Sequence, residues 1–392
     1  MQQQRFNRKS IPRVAILVET TRTYTRELLA GVRRYVAEHG PWNAFLELRA
    51  LDSAPPPWLR RWQGDGILSR TFSQKTADVI AATGLPTVEL RSTRLHHSFP
   101  FVGVDNSQVG RMVAEHFLER GYRSFGVYAL RTETFFEERV RNFRKALAAA
   151  RQQCAILSEP GSDRVRDWDR NQLRLREWLR ALPKPAGVFA ANDQLGLRVL
   201  EACQSAGIHV PNEVAVAGCE NEELLCAFAS PPLTSVQFDG VTVGYRAAEM
   251  LDRMMRRRVK GRNILIPAKQ IVVRESSDVL AIDDRLAADA VRLIRRDALK
   301  GITVARLCQM LNASRSTLER RLRAALNRTP KEEILRHRFR EVERLLRDTD
   351  LTVEAIAEQT GFAHAHYLQG MFKQRHGRTP GQFRRAFRQD GG

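Results

Sequence analysis

Short apolar runs alternate with helix-length amphipathic stretches over the first two thirds of the chain. V-A-I-L-V at residues 14–18 is the first run; Leu28, Leu29, Val32 and Val36 follow at spacings of one, three and four, which places them on one face of a helix near residues 25–39. Further strand-length runs stand at residues 66–68, 87–90, 101–104, 125–128, 187–190 and 214–218. Strands that read as continuous apolar runs are buried on both faces, so the pattern predicts parallel sheets with helices on each side. A segment of about 265 residues is generous for one such sheet, and two lobes are expected over residues 11–276. From residue 284 apolar positions recur only at three and four, which predicts an all-helical unit over 284–388. Residues 277–283 are the expected linker, although V-L-A-I at 279–282 is not flexible-linker composition.

The helical part repeats itself. Ile302, Thr303 and Val304 with Leu307 and Cys308 return 49 residues later as Leu351, Thr352 and Val353 with Ile356 and Ala357; Leu318, Leu322 and R-T-P at 328–330 return 50 residues later as Leu368, Phe372 and R-T-P at 378–380. Each copy reads as a physical unit. Thr303 or Thr352 caps a short helix, Asn312 or Gly361 tolerates the left-handed turn that leaves it, and a second helix ends near Asn327 or Gly377. Helix, tight turn and helix is the arrangement that places its second helix in the major groove of DNA.

Charge strengthens that reading. The chain carries 64 Lys and Arg against 44 Asp and Glu, and residues 284–392 alone hold 23 against 13. An acidic partner, double-stranded DNA, is therefore expected. In the first copy Ser314 can cap the second helix and offer its first-turn amides to a phosphate, Arg315, Ser316 and Thr317 open that helix, and Arg320 lies four residues after Ser316 on an outward stripe. Arginine can address guanine with two hydrogen bonds. The second copy offers His364, His366 and Gln369, while Lys373, Arg384, Arg385 and Arg388 suit backbone phosphates, which position without specifying.

The segment from Thr303 to Phe387 resembles the double helix-turn-helix domain of the AraC family, through G-F at 361–362, F-K at 372–373 and T-P-G-Q-F-R at 379–384. The resemblance implies seven helices, two recognition helices on one face of the DNA, and activation through contact with RNA polymerase. Gly370 stands where many members carry a base-contacting Arg, so base reading by the second motif is expected to be weaker.

The α/β part shows no catalytic triad, phosphate loop or metal cluster. No cofactor is expected, and an α/β enzyme with a DNA-targeting tail, the competing reading, lacks a nucleophile paired with a base. Instead, polar residues follow the apolar runs: Arg70, Asp105, Asn192 with Asp193, and Glu220. Ligands of open parallel sheets bind outside the carboxyl ends of the strands, and short acidic and amide groups there suit a hydroxyl-rich molecule. An Asp after a strand is also a common helix cap.

These segments resemble the LacI and periplasmic sugar-binding protein family, through G-V-D-N-S-Q-V-G at 103–110, F-A-A-N-D-Q at 189–194, G-I-H-V-P-N-E-V-A-V-A-G at 207–218 and P-P-L-T-S-V at 231–236. The resemblance implies a two-lobed sugar sensor with Asp105, Arg139, Asn192 and Glu220 facing the sugar. Arg70, Asp105 and Arg139 are expected from the first lobe, Asn192 and Glu220 from the second. The family usually has Asp where Glu220 stands, which implies a shorter pocket. It also implies a homodimer in which lobe closure changes how two readers meet DNA. A-S-R-S-T-L-E-R-R-L at 313–322 and I-L-I-P-A-K-Q-I-V-V-R-E-S-S-D at 264–278 narrow the resemblance to pentose-responsive regulators, which makes D-xylose the favoured effector over other small polyols. The start has no apolar segment of a secretion signal, no stretch approaches a membrane span, and five scattered cysteines without a C-x-x-C pair read as buried thiols, so a cytoplasmic protein without membrane contact is expected.

Overall fold

The structure, a computed structural model, describes residues 11–47, 53–92, 95–131, 134–159, 168–257, 259–282 and 284–390. The chain divides into two compact units, Met1–Phe117 with Arg123–Val279, and Leu118–Tyr122 with Leu280–Gly392.

The strands of the first unit are β1 Arg13–Leu17, β2 Asn43–Leu46, β3 Gly66–Ser69, β4 Thr87–Glu89, β5 Val102–Val104, β6 Ser124–Leu130, β7 Ala155–Glu159, β8 Ala186–Ala190, β9 Val214–Glu220, β10 Thr234–Gln237, β11 Ile264–Ile266 and β12 Gln270–Val272. Its helices are α1 Thr23–His39, α2 Gln74–Ala82, α3 Asn106–Glu119, α4 Thr134–Ala149, α5 Trp168–Ala181, α6 Asp193–Ala206, α7 Glu223–Phe228 and α8 Gly240–Arg257. The first lobe holds a parallel sheet in the order β2-β1-β3-β4, and a bridge from Glu89 to Phe101 continues it toward the β5–β11 pair. The second lobe holds the order β12-β10-β9-β8-β6-β7. Its strands are parallel except β12, which runs antiparallel to β10 and departs from the all-parallel expectation.

Central strands carry continuous apolar runs because both faces are covered: β8 is buried at all five residues, β9 at six of seven. β2, by contrast, is exposed at all four residues, and β7, β11 and β12 are also partly exposed, so their apolar signal is weak. In the first lobe α1 crosses α8 with backbones nearly touching. A Cβ on Gly31 would sit 2.0 Å from the Val241 carbonyl oxygen, and one on Gly244 would sit 1.9 Å from that of Leu28, so both positions require glycine. Cys203, Cys219 and Cys226 are buried as expected, whereas Cys154 and Cys308 are only partly so; all five are free thiols.

The second unit has seven helices among its described residues: α9 Arg285–Asp297, α10 Val304–Met310, α11 Arg315–Leu326, α12 Pro330–Asp348, α13 Val353–Gln359, α14 Ala365–His376 and α15 Pro380–Asp390. The repeat is visible in its caps. Thr303, Ser314 and Thr352 each accept a hydrogen bond from a first-turn amide, Asn312, Asn327, Gly361 and Gly377 have positive φ, and Thr329 with Glu332 forms a capping box on α12. There are two small cores. Leu307, Leu318 and Leu322 pack with Ile294 and Ile334 in one; Ile356, Leu368 and Phe372 pack with Phe339 and Phe383 in the other. Helix α12 serves both.

Glu333 on α12 is fully buried and receives Arg328 at 2.8 Å and His337 at 3.3 Å. Burial alone would raise its pKa, but the adjacent His337 imidazole and the Arg328 charge prevail and hold it at about 2. The folded state therefore binds fewer protons than the unfolded chain. This contribution, about 3 kcal/mol, is present above pH 4.5 and is lost as pH falls toward 2. Denaturation of wild type and Glu333→Gln at several pH values measures it: the wild-type advantage shrinks across that window.

Candidate functional site

A cavity of about 210 Å³ lies at the carboxyl ends of the parallel strands of the first unit, where its two lobes face each other. Each wall follows from chain direction, since a residue just past a parallel strand must emerge at this end. The first lobe contributes Arg22 and Tyr24 at the start of α1, Arg70 after β3, Arg91 beyond β4 and Asn106 at the start of α3. The second contributes Phe135 and Arg139 from α4, Asn192 after β8, Arg198 from α6 and Glu220 at the end of β9.

Arg139 is the hub. It is 4% exposed, its Nε donates to Asn106 Oδ1 at 2.8 Å and its Nη1 to the Ala191 carbonyl at 2.6 Å, and Nη1 lies 3.6 Å from Glu220. Its guanidinium stacks over Phe135 and Phe238. The other Glu220 oxygen accepts from Arg22 at 3.2 Å, so one carboxylate joins the two lobes. Glu220 and Asn221 have φ of 107° and 52°, a left-handed region that costs non-glycine residues on the order of 1–3 kcal/mol each and that recurs at ligand clamps. Arg274 donates to Asn221 Oδ1 and braces this turn. Arg70 is ion-paired with the buried Glu19.

Of the six sequence-nominated ligand residues, Arg70, Arg139, Asn192 and Glu220 line the cavity. Asp105 does not, because its carboxylate caps α3 through the Ser107 and Gln108 amides at 2.9 and 3.1 Å. Nor does Asp193, 1% exposed, which accepts from Ser235 at 2.5 Å and from the Glu222 amide at 2.8 Å; burial pushes its pKa up to about 7. Arg139 belongs to the second lobe rather than the first, because α4 follows β6 and β6 pairs with β8 in the second sheet. Asn192 Oδ1 is committed to capping α6 through Leu195, which leaves its amide nitrogen as the donor. Sequence reasoning missed Arg22, Tyr24, Arg91, Gln194, Arg198 and the aromatic side chains. Arg22 and Arg91 follow β1 and β4, so the rule that found Arg70 reaches them too. Arg198 stands inside α6 and carries no such signal.

On the second unit, Arg315, Ser316 and Arg320 are exposed on α11, with Leu318 and Leu322 buried behind them. Arg315 pairs with Glu319 along the helix at 2.9 Å, and Thr317 is half-buried with its hydroxyl accepting from the Ser314 cap. On α14 His366, Gln369, Gly370 and Lys373 are exposed, as is His364 at its N-cap, and Arg385 is exposed on α15. Arg384 is not a free phosphate contact: it is half-buried and donates to the Leu346 and Leu351 carbonyls. Arg338 does the same for Ala298 and Ile302 in the first copy. The Arg388 side chain lies outside the described residues. A Cβ at Gly370 would meet nothing within 4 Å. Gly370→Arg is therefore expected to stabilise α14 by about 0.5–1 kcal/mol and to tighten operator binding in a gel shift. Unchanged or weaker binding would place α14 away from the groove.

Among the described residues no group of His, Cys, Asp and Glu could hold a metal ion, and no helix is long and apolar enough to cross a membrane. Residues 114–277 match the model of the periplasmic binding protein-like domain, and residues 307–386 match a helix-turn-helix domain. The chain joins a periplasmic-binding-protein-like domain to an AraC-type helix-turn-helix domain. The same order occurs in relatives along the whole length. The chain is 28% identical over 380 residues to the xylose operon regulatory protein of Haemophilus influenzae, covering 95% of this chain and 98% of that protein. It is 27% identical over 384 residues to that of Escherichia coli K12, covering 95% and 96%. The solved structure of the xylose-binding transcription activator xylR superposes with a TM-score of 0.62 at 26% identity, covering 96% of this chain and 99% of that one. These relatives are transcription regulators. Sensor and reader in one chain are the make-up of a ligand-responsive, DNA-binding transcription regulator.

Proposed function

We propose that the protein is a cytoplasmic, sugar-responsive transcription activator that controls a xylose operon, binds D-xylose in the cleft of its first unit and reads operator DNA with its second. The observation that carries the reading is the presence in one chain of a polar cleft spanned by Glu220, Arg22 and Arg139 and a doubled helix-turn-helix with side-chain caps on α10, α11 and α13. A ligand changes an equilibrium only through differential affinity, and a cleft whose groups come from two lobes is complete only when they close on it. The chain acts as a homodimer and recruits RNA polymerase. The cleft is assigned to binding rather than catalysis, because Glu220, the carboxylate on its wall among the described residues, is engaged by two arginines.

On this reading Arg70, Arg139, Asn192 and Glu220 hold the effector. Arg320 and Ser316 read bases, Gln369 and His366 follow in the second groove segment, and Lys373 and Arg385 contact phosphates. Two experiments test it. Thermal melting of the full chain with D-xylose, L-arabinose, D-ribose and D-glucose should give a raised midpoint, largest for D-xylose, since a ligand of the folded state stabilises it. Arg320→Ala should cost roughly 1–3 kcal/mol on operator and relax specificity at one base pair, whereas Arg385→Ala should weaken all sequences alike. A chain indifferent to every sugar, or two variants with the same sequence-independent loss, would overturn the corresponding half.

A further inference from the structure

We propose that Glu222 and Thr23 form a clasp between the two lobes of the first unit that tightens binding of every effector by the same factor without touching it, and that Asp193 is the positioning residue that holds the clasp in place. The inference rests on the cleft being the effector site and adds residues outside its wall that set the affinity.

The clasp starts from a helix that does not cap itself. α1 opens at Thr23; its N-cap residue, Arg22, makes no side-chain hydrogen bond to a first-turn amide, and no acidic residue stands in the first turn. Such a start leaves amide donors without intrahelical partners and a partial positive charge unanswered. Glu222 answers both. Its Oε1 accepts from the Thr23 amide at 2.5 Å and its Oε2 from the Thr23 hydroxyl at 2.9 Å. Arg26 donates to the same hydroxyl at 2.9 Å, which occupies a lone pair there and leaves the hydroxyl proton for Glu222. Thr23 lies between β1 and β2 of the first-lobe sheet and Glu222 follows β9 of the second, so α1 receives its cap from the other lobe. Neither residue is among those that line the cavity, which separates this pair from Arg22, whose partners Glu220 and Gln194 both line it.

Glu222 is aimed through its own backbone. Its amide donates to Asp193 Oδ2 at 2.8 Å, and the other oxygen of that buried carboxylate takes the Ser235 hydroxyl at 2.5 Å. Ser235 in turn accepts from the Asn221 amide at 3.0 Å, so both residues that follow β9 are tied through one buried pair to β10. The space is fitted to the carboxylate: a Cβ on Gly218 would sit 2.4 Å from Asp193 Oδ1. Asp193 therefore acts through Glu222, which accounts for an acidic residue that follows β8 yet turns away from the cavity.

A contact that exists only when two lobes meet raises the fraction of molecules competent to hold a ligand between them. Apparent affinity scales with that fraction, whichever ligand is offered. The clasp thus multiplies all effector affinities by one factor, whereas a wall residue changes affinities selectively.

Calorimetric titration of the full chain with D-xylose and with D-ribose tests this. Glu222→Gln should weaken binding by about 3- to 30-fold, the loss of a helix cap read as a binding ratio, and Thr23→Val by about 3-fold, since the amide contact survives. The ratio of the two sugars' affinities should stay within about twofold of wild type in both variants. Thr23→Ser, which keeps the hydroxyl, should bind as wild type, and the double variant should lose no more than Glu222→Gln alone, because the two groups serve one contact. Asp193→Ala should reproduce the Glu222→Gln loss, while Asp193→Asn, which can still accept from the Glu222 amide, should retain wild-type affinity. Unliganded melting shows which variants are folded. Undiminished affinity in folded Glu222→Gln and Thr23→Val overturns the inference and leaves the effector reading standing. A shifted sugar ratio overturns it too, by placing these side chains against the sugar. A wild-type chain that binds neither sugar removes the effector reading itself, and the inference with it.

Discussion

Glu220→Gln will abolish the response of operator binding to effector while leaving effector-free operator affinity unchanged within about twofold. Glu220 takes Arg22 from one lobe and Arg139 from the other, so its charge is the link that a closed cleft completes. Glutamine keeps the volume and one acceptor but removes the charge that both guanidinium groups need. Hydrogen bonds to charged groups contribute about 1.5–3 kcal/mol, so the loss on effector affinity is on the order of 10- to 100-fold. The strained backbone at residue 220 holds the side chain at this point, which makes the substitution local. Operator titrations with and without effector measure it. A variant that keeps the full response places the effector elsewhere, and one that loses basal operator affinity as well has damaged the fold.

Operator affinity will fall by roughly 10³- to 10⁵-fold between 50 and 200 mM salt, if the doubled motif neutralises six to ten phosphates. The basis is counterion release, and exposed cations stand on three helices: Arg320 on α11, Lys373 on α14 and Arg385 on α15. The capped first turn of α11 adds amide donors that do not depend on side-chain charge. Arg384 and Arg338 are spent on carbonyl oxygens and should not contribute to the slope. Gel shifts at five salt concentrations give the slope. A flat dependence rejects the reader assignment, and a slope lowered by about one in Arg385→Ala identifies a phosphate contact.

The reader was legible because its signals are local. Thr303, Ser314, Asn312 and Asn327 act within a turn of where they stand, and the same holds for Thr352, Gly361 and Gly377 in the second copy. The alternation of strands and helices was legible for the same reason. Strand order is not local, and that is why Arg139 was placed in the wrong lobe: nothing near residue 139 records that β6 pairs with β8. Short exposed edges such as β2 and β12 bury too little to leave an apolar run. In the cleft, position after a strand found Arg70, Asn192 and Glu220, but it cannot separate a ligand contact from a helix cap, and Asp105 is the cap. Asp193 follows the same strand and is turned inward, to Ser235 and the Glu222 amide. The five arginines that line the cavity come together only when distant segments are folded onto one cleft.

The crossing of α1 and α8 sets a timetable for synthesis. β1 to β4 and the helix that should be covered are complete by residue 89, yet α8, whose Val241 and Gly244 close onto Gly31 and Leu28, begins only at residue 240, and β11 arrives at 264. At about 5–20 residues per second the first lobe waits on the order of 10–30 s on the ribosome with an apolar helix face uncovered. The second lobe is largely synthesised during that interval, and all but its edge strand β12 emerges before the first lobe can close. Nascent chains stalled before residue 240 will therefore expose α1 to protease or to a chaperone, and the order in which the two lobes mature is the reverse of the order in which they begin.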